Sequence, residues 1–205
     1  SAASDVYKRQ IYIMLSKERK NSMNNTSNNV NSTFPKTQKK LIIAEKPSVG
    51  KTYANILGVT QMKDGYMESD TWIVTWSVGH LIELSYPEAY DPALKKWAME
   101  TLPFLPERYK YNVISNVRKQ FNVVKSLYNR SDIETIYYAG DSGREGLYIQ
   151  MLIRMVAGHK KGVEEKVVWI DSQTKETVLN GIRDAKPLSA YNLSLIHISE
   201  PTRPY

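Results

Sequence analysis

From residue 41 onward the chain alternates short apolar runs with amphipathic stretches. Residues 41–44 form an apolar run that ends at a charged residue, which is the pattern of a buried parallel strand. A helical stretch follows from 47 to about 57 and is closed by Gly58. Apolar and polar residues then alternate over residues 65–77, and this pattern predicts a hairpin.

The same alternation continues through the second half of the chain. Aromatic residues and prolines are mixed over residues 85–111, which predicts an irregular packed excursion rather than a long helix. Beyond it the pattern predicts a helix capped by Ser115, a strand, a helix, a strand and a helix, at about 115–128, 135–139, 143–156, 166–170 and 174–184. This order indicates an α/β fold, with a mostly parallel sheet that carries helices on both faces.

The two ends of the chain do not resemble protein sequence. Residues 5–10 back-translate to GAT GTG TAT AAG AGA CAG, and the reverse complement of that DNA encodes Leu-Ser-Leu-Ile-His-Ile, identical to residues 193–198. Both segments resemble the translated transposase adapter of sequencing libraries, so we expect residues 1–10 and 193–205 to be adapter-derived and the chain to be a fragment. Residues 11–40, rich in asparagine and serine, have little to bury and predict a disordered leader.

Composition narrows the class of protein. The absence of cysteine excludes a disulfide scaffold and a thiolate metal site, and it fits a reducing cytoplasm, where we expect the protein. No apolar run approaches the roughly 18–20 residues of a membrane span, so we expect no membrane partner. The net charge of +7 suggests a polyanionic partner, but residues 41–192 hold 19 Lys+Arg and 18 Asp+Glu. The charge of the expected folded part is therefore weak evidence for DNA binding.

The first motif with chemical content lies just after the first predicted strand. Gly50-Lys51-Thr52 imitates the phosphate-binding loop of P-loop NTPases. The first glycine of that loop would stand where this chain has Glu45, and a carboxylate facing the phosphates would repel them. The sequence therefore gives only weak support for an NTPase. An ordinary strand-to-helix turn that happens to contain a lysine explains the segment at least as well.

The second motif is an acidic one that directly follows a predicted strand. Residues 139–146 read Ala-Gly-Asp-Ser-Gly-Arg-Glu-Gly, so that Asp141 and Glu145 bracket Arg144. Closely spaced carboxylates repel one another unless a cation is present, which indicates a hard divalent metal such as magnesium. Arg144 suits bidentate binding of a phosphate. A helix start with favourable acidic residues explains the same carboxylates, so both interpretations stay open for this motif alone.

The combination of motifs is more specific than either one. Glu45-Lys46-Pro47-Ser48 at a strand end, then Val-Thr-Trp-Ser-Val-Gly-His-Leu at 74–81, then Gly-Asp-x-x-Arg-Glu-Gly at 140–146 resemble type IA DNA topoisomerases, most closely the topoisomerase III branch. The resemblance covers essentially residues 41–192. It implies a Toprim domain over 41–171, a compact α/β fold that holds magnesium, and the truncated start of the next topoisomerase domain over 172–192.

The resemblance also implies roles for particular residues. Catalytic roles would fall to Glu45, Lys46, Arg144 and Glu145, magnesium would be held by Glu45, Asp141 and Glu145, and DNA would be contacted by Lys46, His80 and Arg144. For His80, a structural role in a turn is an equal alternative. The general family pattern has a second aspartate where this chain has Gly143, which implies a weaker or differently arranged magnesium site.

The activity that the resemblance implies is the cleavage, passage and resealing of single DNA strands. A tyrosine attacks a phosphodiester, forms a 5′-phosphotyrosyl bond and releases a 3′ hydroxyl, without ATP. None of the 14 tyrosines matches the motif of that nucleophile, so we expect it beyond residue 192 and expect this fragment to be inactive alone. The alternatives are the P-loop NTPase and a non-catalytic DNA-binding Toprim module, which Gly143 suggests.

Overall fold

The computed structural model describes residues 38–96, 98–140, 142–158 and 162–191. The expected adapter segments and the expected leader up to residue 37 lie outside these ranges, and so does Asp141.

A seven-stranded sheet forms the centre of the larger of two bodies in the chain. The strands are β1 (Lys39–Ala44), β2 (Gln61–Lys63), β3 (Tyr66–Glu68), β4 (Trp72–Trp76), β5 (Ile82–Leu84), β6 (Tyr111–Val113), β7 (Ile133–Ala139), β8 (Glu164–Val167) and β9 (Lys186–Pro187). The sheet has the order β2-β3-β4-β1-β7-β8-β9, while β5 and β6 form a separate two-stranded sheet. Strands β4, β1, β7 and β8 are mutually parallel, while β2, β3 and β9 join the two edges of the sheet through antiparallel pairing. The predicted α/β fold with a mostly parallel sheet is confirmed.

Four α-helices flank this sheet, two on each face. They are α1 (Pro47–Ile56), α2 (Arg118–Tyr128), α3 (Arg144–Ala157) and α4 (Lys175–Arg183), with short 3-10 turns at Ser115–Val117 and Leu188–Tyr191. Helices α1 and α4 contact each other, as do α2 and α3. No helix within the described ranges combines the length and apolar character that a membrane span requires.

The α1 and α4 face of the sheet is an apolar core. Successive side chains of a strand point to opposite faces, and the residues that alternate toward this face are all buried: Ile42, Ala44, Val74, Trp76, Tyr137 and Ala139. They pack with Val49 and Tyr53 of α1 and with Val178 of α4. A Cβ at Gly50 would lie only 2.6 Å from Cε3 of Trp76, so the helix approaches the sheet closely at this glycine.

The opposite face contains a buried polar network. Arg154 of α3 donates from Nε to both carboxylate oxygens of Glu165, at 2.9 and 3.0 Å. The hydroxyls of Tyr128 and Tyr138 donate to Oε1 of the same carboxylate, at 2.8 and 2.7 Å. One carboxylate on β8 therefore ties α2, α3 and β7 together. Burial acts to raise the pKa of Glu165, but the hydrogen bonds from Arg154 and the tyrosines outweigh it, and the pKa lies below its ordinary value.

The lowered pKa of Glu165 predicts that the free energy of unfolding falls in acid. A carboxyl group with a depressed pKa stabilises the fold fully above its ordinary pKa, near 4.5, and loses that contribution as the pH falls through the depressed value. We therefore expect Glu165→Gln to flatten the dependence of unfolding free energy on pH below about 4.5. Urea melts at stepwise lower pH measure this dependence. An unchanged pH slope in the variant would contradict the role given to Glu165.

Several element boundaries differ from those predicted. Strand β1 begins at Lys39, two residues early, because Lys39 pairs with Glu68 at 2.7 Å and Lys40 lies over the Trp72 ring at 5.4 Å. Strand β8 covers Glu164–Val167 rather than 166–170. The predicted cap at Ser115 is wrong, because Ser115–Val117 forms a 3-10 turn and α2 begins at Arg118 without a side-chain cap.

The boundary expected near residue 171 stays a prediction. Thr174 accepts a hydrogen bond from the Thr177 N–H at 3.3 Å and caps α4, as its predicted start at 174 implies. Residues beyond 171 belong to the same body, because α4 packs with α1 and β9 pairs with β8.

Among the described residues, the second body consists of residues 84–110. Its regular structure consists of three 3-10 turns, Pro87–Ala89, Pro92–Lys95 and Met99–Thr101, which agrees with the predicted irregular excursion. The rings of Tyr90 and Phe104 meet edge to face at 5.0 Å, and Lys110 lies 4.9 Å from the Tyr90 ring centre. Lys110 also donates to the Ala89 carbonyl at 2.8 Å. The aromatic contact and the bonds of this lysine hold the segment together without a long helix.

Candidate functional site

The carboxyl ends of three parallel strands lie side by side at one edge of the sheet. Ala44 of β1 pairs in register with Trp76 of β4 and with Ala139 of β7. The next residues along the chain, Glu45, Ser77 and Gly140, therefore follow at the same edge. We call this region the carboxyl edge.

The carboxyl edge coincides with a reversal of strand order. From β1 the chain passes through α1 to strands on one side, and from β7 it passes through α3 to β8 on the other side. Helices α1 and α3 lie on opposite faces, so the two loops diverge, and in folds of this kind such divergence opens a crevice between the two strands. Ligands of open α/β sheets bind at such a switch point. The topology therefore places the two predicted motifs at the most favourable position in the fold.

Glu45 and Lys46 leave β1 into this crevice. The Glu45 side chain is only 12% exposed, and its Oε1 lies 3.6 Å from Nζ of Lys46, which is 53% exposed. The Glu45 carbonyl accepts a hydrogen bond from the Gly79 N–H at 3.5 Å, which fixes the backbone beside the next loop. A largely buried carboxylate and a half-exposed ammonium group thus lie in the same turn at the carboxyl edge.

The acidic motif forms the other wall of the crevice. Gly143 precedes the first turn of α3, where Glu145 has an 83% exposed side chain. His80, held in a turn after Gly79 at φ +84°, brings its Nε2 to 3.6 Å from Oε1 of Glu145. Asp141 and the side chain of Arg144 lie outside the described part of the structure. The structure thus brings two of the predicted site residues, His80 and Glu145, into contact, and this pairing was not predicted.

The geometry disfavours the P-loop interpretation. Gly50 lies inside α1, and its N–H already donates to the Lys46 carbonyl at 3.0 Å, so it does not point at a phosphate site. The Thr52 hydroxyl donates to the Ser48 carbonyl at 3.1 Å, one helical turn earlier. A P-loop uses these groups to bind phosphate and Mg²⁺, whereas here both form hydrogen bonds to backbone carbonyls within or next to α1.

The oxygen donors of the carboxyl edge suit magnesium. Carboxylates are ligands that Mg²⁺ prefers, and the ion keeps several of its waters, which need hydrogen-bond acceptors nearby. Glu45 and Glu145 supply carboxylates from the two walls. Among the described residues, which leave out Asp141, no three acidic or histidine side chains converge into a metal-binding group. Carboxylate oxygens of this kind are what a magnesium ion that keeps part of its hydration shell takes as ligands.

A cleft of about 320 Å³ adjoins the carboxyl edge on the α1 and α4 face. It is lined by Val49 and Tyr53 of α1, by Gly140 and Ser142 of the acidic loop, and by residues 170–173 after β8. Burial raises the pKa of Tyr53, so its hydroxyl stays protonated at neutral pH. The cleft extends the site past the acidic loop toward Asp171, a residue not singled out by the sequence.

Two further residues of the carboxyl edge were missed by the sequence reasoning. Ser77 is fully buried, and its backbone N–H donates to the Ala44 carbonyl at 2.8 Å. Gln150 of α3 is 1% exposed, and its Nε2 donates to the Ile43 carbonyl at 3.0 Å. Ser77 follows a strand end just as Glu45 does, so the same rule could have found it. Gln150 lies among Ile149, Leu152 and Ile153 in the sequence, and a polar residue within such an apolar stretch of a helix indicates a buried side chain with a polar partner.

The chain is similar to a known domain family and to several bacterial proteins. The family model described as "Toprim domain" matches residues 40–172. The chain is 43% identical over 153 residues to a DNA topoisomerase 3 of Staphylococcus epidermidis, covering 75% of this chain and 21% of that protein. It is 42% identical over 154 residues to a DNA topoisomerase 3 of Staphylococcus saprophyticus and 44% identical over 155 residues to one of Bacillus thuringiensis, with the same coverage. The chain thus spans about a fifth of the length of the curated relatives that it matches.

Proposed function

The chain belongs to the Toprim domain family, and on that basis we propose that it is the amino-terminal, metal-binding part of a type IA DNA topoisomerase. The observation that supports the proposal is the carboxyl edge, where the register of β1 and β7 brings the strand ends before Glu45 and before the acidic loop side by side at a switch point. The names of the relatives, DNA topoisomerase 3, support the reaction class. The substrate would be DNA with a single-stranded segment.

The reaction is a transesterification. The hydroxyl of a tyrosine outside this chain attacks the phosphorus, a tyrosyl O–P bond forms, and the bond from phosphorus to the 3′ oxygen breaks. The tyrosine loses a proton and the 3′ oxygen gains one, and resealing reverses both steps. Because the phosphodiester is exchanged for another phosphoester, no ATP is needed.

The residues of this chain would act on the phosphate and on the 3′ oxygen. Glu45, largely buried beside Lys46, would hold the proton of the 3′ hydroxyl. Lys46 and Arg144 would neutralise charge on the scissile phosphate. His80 would contact DNA from its place beside Glu145.

Magnesium would be held at the carboxyl edge by Glu45, Asp141 and Glu145. When bound, it would stabilise the charge that develops at the phosphate oxygens. The carboxylates would bring the ion and the scissile phosphate to the same edge of the sheet.

Gly143 gives a test of the metal site. A Cβ at this position meets no atom within 4 Å, and the backbone is extended at φ −157°, so an aspartate fits without strain. We expect Gly143→Asp to tighten Mg²⁺ binding by about tenfold, the effect of one added charge contact of roughly 1.4 kcal/mol. Titration calorimetry of the chain with MgCl₂ measures the change.

Gly143→Asn is the matched control for that experiment. Asparagine has nearly the same shape and is an equally good residue at a helix start, but it carries no charge. Equal Mg²⁺ affinity in the two variants would show that Gly143 lies away from the metal.

The proposed activity is tested by transplanting the domain. Residues 41–192 replace the matching segment in the DNA topoisomerase 3 of Staphylococcus epidermidis, and relaxation of supercoiled plasmid is measured with Mg²⁺ and without ATP. We expect the chimera to relax DNA. A folded chimera that binds single-stranded DNA but leaves the plasmid supercoiled would instead support the non-catalytic DNA-binding module.

A further inference from the structure

Three buried polar side-chain atoms in the described residues have no protein hydrogen-bond partner, and two of them lie at the carboxyl edge. They are Oγ of Ser77 and Oε1 of Gln150, and the third is Oγ of Ser85 in the other body. A buried polar atom without a partner carries the full cost of its desolvation, so each such atom in a native fold needs an explanation.

Both atoms are fixed beside the residue that ends β1. The Ser77 N–H binds the Ala44 carbonyl, and the Gln150 amide nitrogen binds the Ile43 carbonyl. These carbonyls lie one and two residues before Glu45. Because Nε2 of Gln150 is committed to the strand, its Oε1 is held in a defined orientation as an acceptor.

Gln150 lies directly against the start of the acidic loop. A Cβ at Gly140 would lie 3.1 Å from Nε2 of Gln150 and 3.2 Å from the backbone of Gly146. The acidic loop therefore runs directly over the glutamine. Gln150 therefore contacts both the end of β1, through the Ile43 carbonyl, and the start of the acidic loop, at Gly140.

We propose that Gln150 Oε1 and Ser77 Oγ accept hydrogen bonds from the water molecules of a magnesium ion at the carboxyl edge. This inference rests on the proposed function, since it concerns the metal of that same site. Water on Mg²⁺ presents only hydrogens, and both atoms are acceptors without a protein partner. The two residues are positioning residues that substitute, through water, for the carboxylate that is absent at Gly143.

The test compares Mg²⁺ affinity in matched variants of the full 205-residue chain. Ser77→Ala and Gln150→Met remove the acceptors while nearly keeping volume. Ser85→Ala removes a hydroxyl that is buried and unpartnered in the same way and belongs to the other body. Gln120→Met removes a glutamine that donates to the Trp76 carbonyl at 2.7 Å, a purely structural bond at the same sheet edge.

We expect Ser77→Ala and Gln150→Met each to weaken Mg²⁺ binding by about tenfold, the usual effect of losing a residue that orients a metal's ligands. Ser85→Ala and Gln120→Met should leave the affinity unchanged. Ser77→Ala should also melt no lower than the wild-type chain without Mg²⁺, because it removes a buried hydroxyl that has no partner. Cobalt(III) hexaammine, which imitates hydrated magnesium and cannot exchange its ligands, should compete with Mg²⁺ in the wild-type chain.

Two results would overturn the inference in different ways. Unchanged Mg²⁺ affinity in both Ser77→Ala and Gln150→Met, with binding intact in the wild-type chain, would refute the role of these residues and leave the proposed function standing. No Mg²⁺ binding by the wild-type chain would refute the metal site itself and this inference with it.

Discussion

Replacing Arg154 by methionine is expected to lower the free energy of unfolding by about 3–5 kcal/mol, the cost of leaving a buried charge without its partner. The Glu165 carboxylate is largely buried, and Nε of the Arg154 guanidinium lies within hydrogen-bond distance of both of its oxygens. The hydroxyls of Tyr128 and Tyr138 stay as donors to it, but they carry no compensating charge. Since a domain of this size is stable by roughly 5–15 kcal/mol, the variant should lose a substantial share of its stability.

Urea melts at pH 7 measure this effect, and the protein offers a matched control. Arg183 binds Asp184 at 3.0 Å through the same kind of arginine–carboxylate pair, but both side chains are exposed. Solvent screens the charges of such an exposed pair, so Arg183→Met should leave the free energy of unfolding nearly unchanged. Equal effects of the two substitutions would show that the Glu165 network does not hold α2 and α3 to the sheet.

Much of this fold could be predicted because its signals are local. Apolar runs bounded by glycine or charge mark β1 and β7, which are central strands buried on both faces. Strands β2 and β9 were missed because they are short and exposed, so that burial leaves no pattern in their sequence. The helix cap at Ser115 was wrong because capping depends on the local backbone, and a 3-10 turn intervenes there.

The candidate site could be predicted in part for a similar reason. Glu45 follows a strand that the sequence shows clearly, and strand ends of parallel sheets meet at one edge. The contact between His80 and Glu145 could not be predicted, because it depends on the register of β4 against β1 and on a turn at Gly79. The roles of Gln150 and Ser77 could not be predicted from the sequence, because they depend on which of their polar atoms lack a hydrogen-bond partner in the folded structure.

Glu45→Gln is expected to reduce plasmid relaxation by the chimera at least about hundredfold, the range for loss of a positioned acid or base. The substitution keeps the shape of the side chain and removes both its charge and its capacity to hold a proton for the 3′ oxygen. Glutamine is also a poorer ligand for Mg²⁺ than a carboxylate. Because the side chain is only 12% exposed beside Lys46, solvent cannot replace it readily.

Two controls separate this effect from charge in general and from the P-loop alternative. Glu176→Gln removes an exposed carboxylate in the first turn of α4, far along the chain from either motif, and should leave the rate unchanged. Lys51→Ala removes the lysine that an NTPase would need and should also leave the rate within about twofold, a change of roughly 0.4 kcal/mol in the barrier. Circular dichroism melts verify that each variant is folded.

The initial rate of Mg²⁺-dependent relaxation by the chimera, measured side by side for the parent, Glu45→Gln and Lys51→Ala, tests most directly whether the carboxyl edge is the functional site. We expect relaxation by the parent and by Lys51→Ala, and its loss in Glu45→Gln at an unchanged melting temperature. Relaxation by Glu45→Gln at the rate of the parent would contradict the assignment of catalysis and metal binding to this edge of the sheet.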